Sequence, residues 1–558
     1  MYRYDEYDHK IIKERVAQFK DQTDRYFKGE LSQEEFLALR LQNGLYVQRL
    51  APMLRMAIPY GMISSRQLRR LAEISRKYDK GYAHFTTRQN CQLNWPKMED
   101  VPAILAELAE VEMHAIQTSG NCIRNTTTSH FAGIEAEEVV DPRPYCEVIR
   151  QWSTLHPEFA YLPRKFKIAV NSHPDTDHAA IRFHDIGVQI VKNETGSLGY
   201  QIFVGGGLGR TPVKGELIHS FIEELDLLTY LEAIVRVYNR YGRRDNKYKA
   251  RIKILVKAMT AEGFAEKVNA EWAHIRNSPT RLTVEELDRV RAFFTAPAYK
   301  TGEDNPPALS SSLASDKAFA IWYERNTHPH KQPGYRAVTL TLKRLGIPCG
   351  DVSDKQLELI AQLADDYSFG EARVTHSQNV VLADVAQVDL YELWQKARQA
   401  GFATPTLNMM TDIICCPGGD YCSLANAKSI PVAEQIQKRF DDLDYVYDIG
   451  ELELNISGCM NACGHHHIGN IGILGVDKKG EEFYQISLGG ASGRRLGHDA
   501  SSLGAILGPS FARADMPDVI EKLIRVYIEH RTEEELFIDT FNRIGMKPFK
   551  ERVYDSAN

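Results

Sequence analysis

Residues 65 to 78, SRQLRRLAEISRKY, carry apolar side chains three and four positions apart, the spacing that lines one face of a helix. A serine leads this run, and the short apolar stretch LRMAIP (54–59) before it predicts a strand. After it, YAHFTTR and CQLNW predict two strands, and DVPAILAELAEV predicts a second helix leading to a last strand. The same succession returns in LTLKRLGIP, an aspartate-led helix, EARVTHS, NVVLAD and DLYELWQKARQ. The order β-α-β-β-α-β is that of a ferredoxin-like unit.

The recurrence is also one of identities. Residues 58–90 align without a gap on 347–379, at an offset of 289, with thirteen identities in thirty-three positions. They include Pro59, Gly61, Gln67, Leu68, Gly81, Gln89 and Asn90. Further along, YQIFVGGGLGR (200–210) matches YQISLGGASGR (484–494) at an offset of 284. The chain is therefore expected to be α+β and internally duplicated. Two ferredoxin-like lobes, 51–118 and 338–402, are related by a pseudo-twofold axis. Two larger α/β-type domains, 119–292 and 403–527, share a second fold and clasp one cofactor between them. Residues 293–337, rich in Pro, Gly and Ser around 295–315, are expected to link the halves. Residues 1–50 and 528–558 are charged and read as helical arms.

The 558 residues suit several domains at about 150 residues each. A formal charge of −6 gives no general attraction to nucleic acid. The N-terminus is charged and lacks the apolar core of a secretion signal, and no apolar run approaches the ~20 residues of a membrane span. A cytoplasmic setting is expected. Nine cysteines, five of them between 415 and 463, suggest metal ligation in a reducing compartment rather than a disulfide framework.

Cys416 and Cys422 are spaced C-x5-C, and Cys459 and Cys463 C-x3-C. Four thiolates can close a [4Fe–4S] cube or a tetrahedral zinc site. Zinc favours tight C-x2-C knuckles, and the glycines of PGGDY and SGCMNACG leave room for a bulkier cluster, so the spacing favours the cube. Cys415 falls outside the C-x5-C pair and is expected to be a buried neighbour. Cys91, Cys122, Cys146 and Cys349 are expected in the core. His465, His466 and His467 cannot all aim at one ion, and surface or packing roles are expected. VGGGLGR lacks the G-x-G-x-x-G spacing of a dinucleotide site; close approach to a large cofactor or turn chemistry fits it better.

The first half has no cysteine quartet. It has LPRKFK, 162–167, where strand alternation would send Lys165 and Lys167 to one face and Arg164 to the other. Two like charges on one face repel unless an anion lies between them. Arg55, Arg88 and Arg124 add cations beside strands and turns. A solvated basic face is the competing interpretation. The denser run RRDNKYKARIKILVK, 243–257, is expected to be exposed.

C-x5-C, then G-C-x3-C, together with LPRKFK and the internal doubling, resembles the sirohaem-dependent sulfite and nitrite reductases over residues 40–530. The resemblance implies a [4Fe–4S] cube on Cys416, Cys422, Cys459 and Cys463, with the Cys463 sulfur bridging to the sirohaem iron. It implies a substrate anion held by Arg55, Arg124, Lys165 and Lys167, and sirohaem carboxylates held by Arg88, Gln92 and Arg164. His84 stands where a relative has an arginine to the macrocycle, and Asn470 where members often have an acidic residue. Both lysines of K-x-K favour sulfite, reduced to sulfide with six electrons; nitrite reduction to ammonia is the alternative. No flavin or NADPH segment is visible, so electrons are expected from ferredoxin or a flavoprotein partner. A zinc-stabilised nucleic-acid module is the rival class. The acidic net charge and the lack of interleaved aromatic and basic residues argue against it.

Overall fold

The computed structural model describes residues 2–48 and 50–554; Met1 and Arg49 of the N-terminal arm and 555–558 of the C-terminal arm lie outside the described residues. The chain opens with helices α1 (Glu6–Phe27), capped by Asp5, and α2 (Gln33–Gln42), closed by a Ser32–Glu35 capping box. The first lobe follows: β1 (Leu45–Val47), β2 (Pro52–Met56), β3 (Met62–Ser64), α3 (Ser65–Tyr78), β4 (Tyr82–Phe85), β5 (Cys91–Leu93) and α4 (Val101–Ala109). The first larger domain comprises α5 (Arg143–Ser153), β6 (Ile168–Asn171), β7 (Ile186–Lys192), β8 (Leu198–Val204) and β9 (Glu216–Glu223). It continues through α6 (Leu227–Tyr241), α7 (Ile252–Met259), α8 (Ala261–Ile275) and α9 (Val284–Arg291).

The expected linker is not structureless. It forms α10 (Pro307–Ser315) and α11 (Lys317–Asn326), whose Leu309, Phe319 and Trp322 enter the core of the lobes. Leu309 and Leu313, four apart, supply the apolar face that the serines of this stretch conceal in the sequence.

The second lobe repeats the first: β10 (Thr327–Pro329), β11 (Tyr335–Leu340), β12 (Asp351–Ser353), α12 (Asp354–Tyr367), β13 (Glu371–Val374), β14 (Val380–Ala386) and α13 (Leu390–Ala400). The second larger domain holds β15 (Ile414–Cys415), α14 (Ile430–Arg439), α15 (Leu443–Ile449), β16 (Leu454–Ser457), β17 (Ile471–Lys478), β18 (Glu481–Leu488), β19 (Ala505–Ile506), β20 (Phe511–Ala512) and α16 (Met516–His530). The C-terminal arm continues as α17 (Phe537–Ile544) and α18 (Lys547–Tyr554), and buries Phe537 and Phe549 in that domain's core.

The two lobes are duplicated as expected, but each completes its sheet with a strand of the other. The sheets run β1-β2-β5-β4-β12 and β10-β11-β14-β13-β3. β12 pairs antiparallel with β4, and β3 with β13. Neither sheet contains the expected strand after its second helix; the exchanged strand is its fifth member. The cause lies in the repeated identities. Gly61 (φ +80°) and Gly350 (φ +85°) turn the chain out of its own lobe just before β3 and β12. Gln89 and Gln378, both at positive φ, donate side-chain hydrogen bonds across the halves, to the Val374 carbonyl at 3.0 Å and the Phe85 carbonyl at 3.2 Å. Helices α3 and α12 pack together, with Arg69–Asp365 at 2.6 Å and Arg76–Asp354 at 2.7 Å across the contact.

A Cβ on Gly61 would lie 2.8 Å from the Val374 carbonyl oxygen. Gly61→Ala is therefore expected to destabilise by more than the ~1–2 kcal/mol of left-handed backbone alone. Gly29→Ala, at φ +77° with nothing within 4 Å, measures that backbone part. Equal shifts in thermal unfolding would show that the crossing turn tolerates the extra atom.

The larger domains share a topology. β6 and β7 are parallel, as are β16 and β17, and β8 and β18 return antiparallel in each. Among the described residues no helix is long and apolar enough to cross a membrane.

Candidate cofactor and anion site

One cleft, about 1850 Å³ counting its open mouth, lies where the first lobe meets both larger domains. It is lined by every site residue expected from the sequence: Arg55, Arg88, Gln92, Arg124, Arg164, Lys165, Lys167, Cys416, Cys422, Cys459 and Cys463. It also contains Arg251 and His465, which sequence reasoning had not assigned to it.

The basic wall is assembled from five stretches of the chain. Arg55 on β2 faces Gln92 on β5 in the antiparallel register, and its Nη2 donates to Gln92 Oε1 at 3.1 Å. Arg124 lies beside the Ile123–Phe166 bridge, and its guanidinium donates to the Thr118 carbonyl at 2.8 Å and the Gly120 carbonyl at 2.8 Å. Arg88 donates to Thr127 Oγ1 at 2.7 Å, the Asn125 carbonyl at 2.7 Å and His184 Nε2 at 2.5 Å. His184 Nδ1 faces the Ala180 carbonyl at 2.9 Å, so its Nδ1 holds the proton and its Nε2 accepts from Arg88.

LPRKFK is not a strand over its length, because β6 begins only at Ile168. Phe166 is buried against Tyr238, while Arg164, Lys165 and Lys167 all line the cleft. The expected separation of Arg164 onto another face is thus corrected: a bend at Pro163–Arg164 breaks the alternation. Within 243–257, Arg243 and Lys247 are exposed as expected, but Arg251 turns into the cleft and pairs with Asp185 at 2.8 Å, and Lys253 is buried.

The charge balance of this wall is lopsided. Among the described residues seven Arg and Lys side chains line the cleft and no aspartate or glutamate does. Among the described residues only Arg251 of the seven has an acidic partner. Burial drives down the pKa of Arg88, Arg164, Lys165 and Lys167, with Lys165 reaching about 8. Desolvated cations without counter-ions are costly unless an anion joins them. An occupant with many carboxylates, beside a small anion, fits this donor set.

The opposite wall is built by parallel pairing. β15 and β16 run side by side in the same direction, so the loops at their C-terminal ends emerge on one edge. This brings Cys416 and Cys422 next to Cys459 and Cys463. The loops pack tightly: a Cβ on Gly458 would lie 2.6 Å from both the Gly418 Cα and the Ala427 carbonyl oxygen. The Gly458 amide donates to Cys416 Sγ at 3.2 Å and the Asn461 side chain to Cys459 Sγ at 3.5 Å. Such donors stabilise thiolates. Among the described residues no three Cys, His, Asp or Glu side chains converge on a single-ion site.

Cys415 is buried on β15 and does not line the cleft. Cys91, Cys146 and Cys349 are buried, whereas Cys122 is half-buried and donates to the Ser119 carbonyl at 3.2 Å. His466 is buried and His467 faces the Gly209 carbonyl at 2.9 Å, both in packing roles. His84 lines the cleft but faces Asp351 at 2.7 Å, across the exchanged-strand pair.

A cleft with a thiol quartet on one side and uncompensated cations on the other defines a redox protein that carries an iron–sulfur cluster beside a polyanionic cofactor. Residues 119–276 and 407–558 match the nitrite and sulphite reductase 4Fe-4S domain, and 48–111 and 328–400 match the nitrite/sulfite reductase ferredoxin-like half domain. The chain belongs to the nitrite/sulfite reductase family, whose cofactors are sirohaem and a [4Fe–4S] cluster. "Sulfite reductase [ferredoxin] 1" of Mycolicibacterium paratuberculosis is 26% identical over 85% of this chain and 79% of its own. "Ferredoxin--nitrite reductase, chloroplastic" of Arabidopsis thaliana is 28% identical over 85% of this chain and 76% of its own. The solved structure of the Mycobacterium tuberculosis NirA protein shares the fold, with a TM-score of 0.76 at 24% identity over 95% of each chain.

Proposed function

We propose that this chain is an assimilatory sulfite reductase, reducing sulfite to sulfide with electrons from a ferredoxin. The observation that carries the reading is a cleft in which, among the described residues, seven Arg and Lys side chains and no carboxylate face four cysteines. On this reading Cys416, Cys422, Cys459 and Cys463 hold the cluster, and Cys463 also serves the sirohaem iron. Arg88, Gln92 and Arg164 hold the macrocycle's carboxylates. Arg55, Arg124, Lys165 and Lys167 hold the anion. When bound, the two groups supply single electrons to the anion's central atom.

The chain's own work is charge and protons. Arg55 and Arg124 hold negative charge without losing their protons. Lys165 and Lys167 are desolvated, and burial lowers both pKa values, so a proton leaves them readily once charge is consumed at the anion. The backbone carbonyls that clamp Arg124 fix its direction before the anion arrives.

Nitrite is the second reading. Relatives named as ferredoxin–nitrite reductases match as well as those named as sulfite reductases, at 28% and 26% identity. The second lysine of the K-x-K pair, Lys167, favours the doubly charged anion. A ferredoxin is the donor that the names of both kinds of relative support; a flavoprotein is the alternative. All nine cysteines are unpaired, which supports a reducing compartment, and we place the protein in the cytoplasm.

Purified protein is expected to be coloured, with sirohaem bands, and to reduce sulfite with an artificial one-electron donor faster than nitrite at equal concentration. A colourless protein with zinc would remove the reading, and a higher kcat/KM for nitrite would exchange the substrate.

A further inference from the structure

The duplication places a second, smaller cavity at the position equivalent to the cofactor cleft. Counting its open mouth, as for the cleft, it measures about 870 Å³. Thr375, His376 and Ser377 line it where Thr86, Thr87 and Arg88 line the cleft. Glu453 lines it just before β16, as Lys167 lines the cleft just before β6. The chemistry is changed: arginine has become serine, and lysine has become glutamate. His130, His178, Asp412, Asn455 and Arg494 are among the other polar residues of the lining. A polar space of this size has room for ordered water.

The cavity contains polar atoms that lack partners. His130 Nδ1, His178 Nδ1 and Asn455 Oδ1 are buried without a hydrogen bond. Buried polar atoms of this kind are normally satisfied by ordered water. The two cavities also share a wall, made by Ala180, His465 and Ile468. On the outer side, Glu453 meets Arg494 at 3.2 Å, and Arg494 lies 3.9 Å from Glu451, which is 38% exposed. The cavity thus has a charged side that reaches the partly exposed Glu451 and a partition that it shares with the cleft.

We propose that this second cavity holds a water cluster that relays protons from solvent, through Glu453 and His178, to the reduction site. The inference rests on the reductase reading but not on the choice of anion. Six electrons and seven protons convert sulfite to hydrosulfide and three waters, and nitrite reduction also consumes protons. Among the described residues no carboxylic acid lines the cleft, so a lysine that has given up its proton must be recharged from elsewhere. Burial raises the pKa of Glu453 and Asp412, which brings proton uptake closer to neutral pH, and pushes that of His178 well down, so His178 serves the water chain as a neutral hydrogen-bonding ring.

The test combines water positions with turnover. A high-resolution crystal structure of the holoenzyme is expected to show waters on His130 Nδ1, His178 Nδ1 and Asn455 Oδ1. A dry cavity would overturn the proposal whatever the activity. Glu453→Gln and His178→Gln are each expected to lower kcat about tenfold, less than the 10²–10⁴ of a direct proton donor. The solvent deuterium isotope effect on kcat should rise, with KM and the visible spectrum unchanged. Unchanged kcat and isotope effect in both variants, or a fall in kcat matched by loss of cofactor absorbance, would overturn it. An unmutated holoenzyme that reduces neither sulfite nor nitrite would instead sink the underlying reading, and the water positions keep the two failures apart.

Discussion

Cys463→Ser is expected to remove the iron–sulfur signal and to alter the sirohaem spectrum in the same preparation. Of the four cleft cysteines it is the exposed one, and its backbone carbonyl is tied across the cleft to Thr87 Oγ1 at 2.8 Å. Its sulfur therefore reaches the open space between the walls while its backbone is fixed. Loss of a ligand shared by two groups should exceed the roughly 10- to 100-fold that outer-shell changes cost at metal sites. Cys415→Ser is the matched control. Cys415 is buried on β15, and its Sγ is 3.3 Å from the Cys416 carbonyl, away from the cleft. It should keep both spectra and most of the activity. The measurements are iron and acid-labile sulfide content, with visible spectra, on both variants. If Cys415→Ser loses the cluster and Cys416→Ser keeps it, the ligand register is wrong by one residue. If Cys463→Ser loses iron and sulfide but leaves the sirohaem bands untouched, the shared-sulfur assignment fails.

The cysteine wall was readable in the sequence because short spacings within one loop survive any fold. That the two loops meet was not readable from spacing. It depends on the parallel pairing of β15 and β16, and β15 has only two residues. The exchange of β3 and β12 was hidden for a similar reason. MIS and DVS are too short for any periodicity, and a strand's partner is a tertiary choice. The repeated Gly61/Gly350 and Gln89/Gln378 were visible as identities, and only the geometry shows that they clasp the halves. LPRKFK was legible as chemistry but not as conformation. Its lysines reach the cleft, but the chain there is bent, so period-two reasoning misplaced Arg164. Arg251 was lost in a charge run, and its pairing with Asp185 sets it apart from the exposed Arg243 and Lys247 of the same run.

Lys167→Asn is expected to lower kcat/KM for sulfite roughly ten- to a hundredfold, while sparing or raising turnover of nitrite. Lys167 sits in the cleft beside Lys165, with its backbone N–H held by Asp185 Oδ2 at 2.9 Å, so its position is fixed by β6 and not by its own charge. The substitution should therefore leave the fold intact and delete one cation from the wall. Charge-assisted hydrogen bonds contribute ~1.5–3 kcal/mol, which sets the size of the sulfite loss. A dianion loses more than a monoanion when one of several cations is removed, since the Coulomb energy scales with the product of charges. Burial, together with Arg88 and Lys165, pushes the Lys167 pKa down. In the empty site the amine is thus poised to release its proton, and an arriving anion restores it. If Lys167 also passes protons, kcat falls along with kcat/KM. Both activities are to be measured with one artificial electron donor, so that docking of the natural partner does not enter. Equal losses for the two anions would make Lys167 a general anchor without selectivity, and the choice between sulfite and nitrite would then rest on the rest of the basic wall.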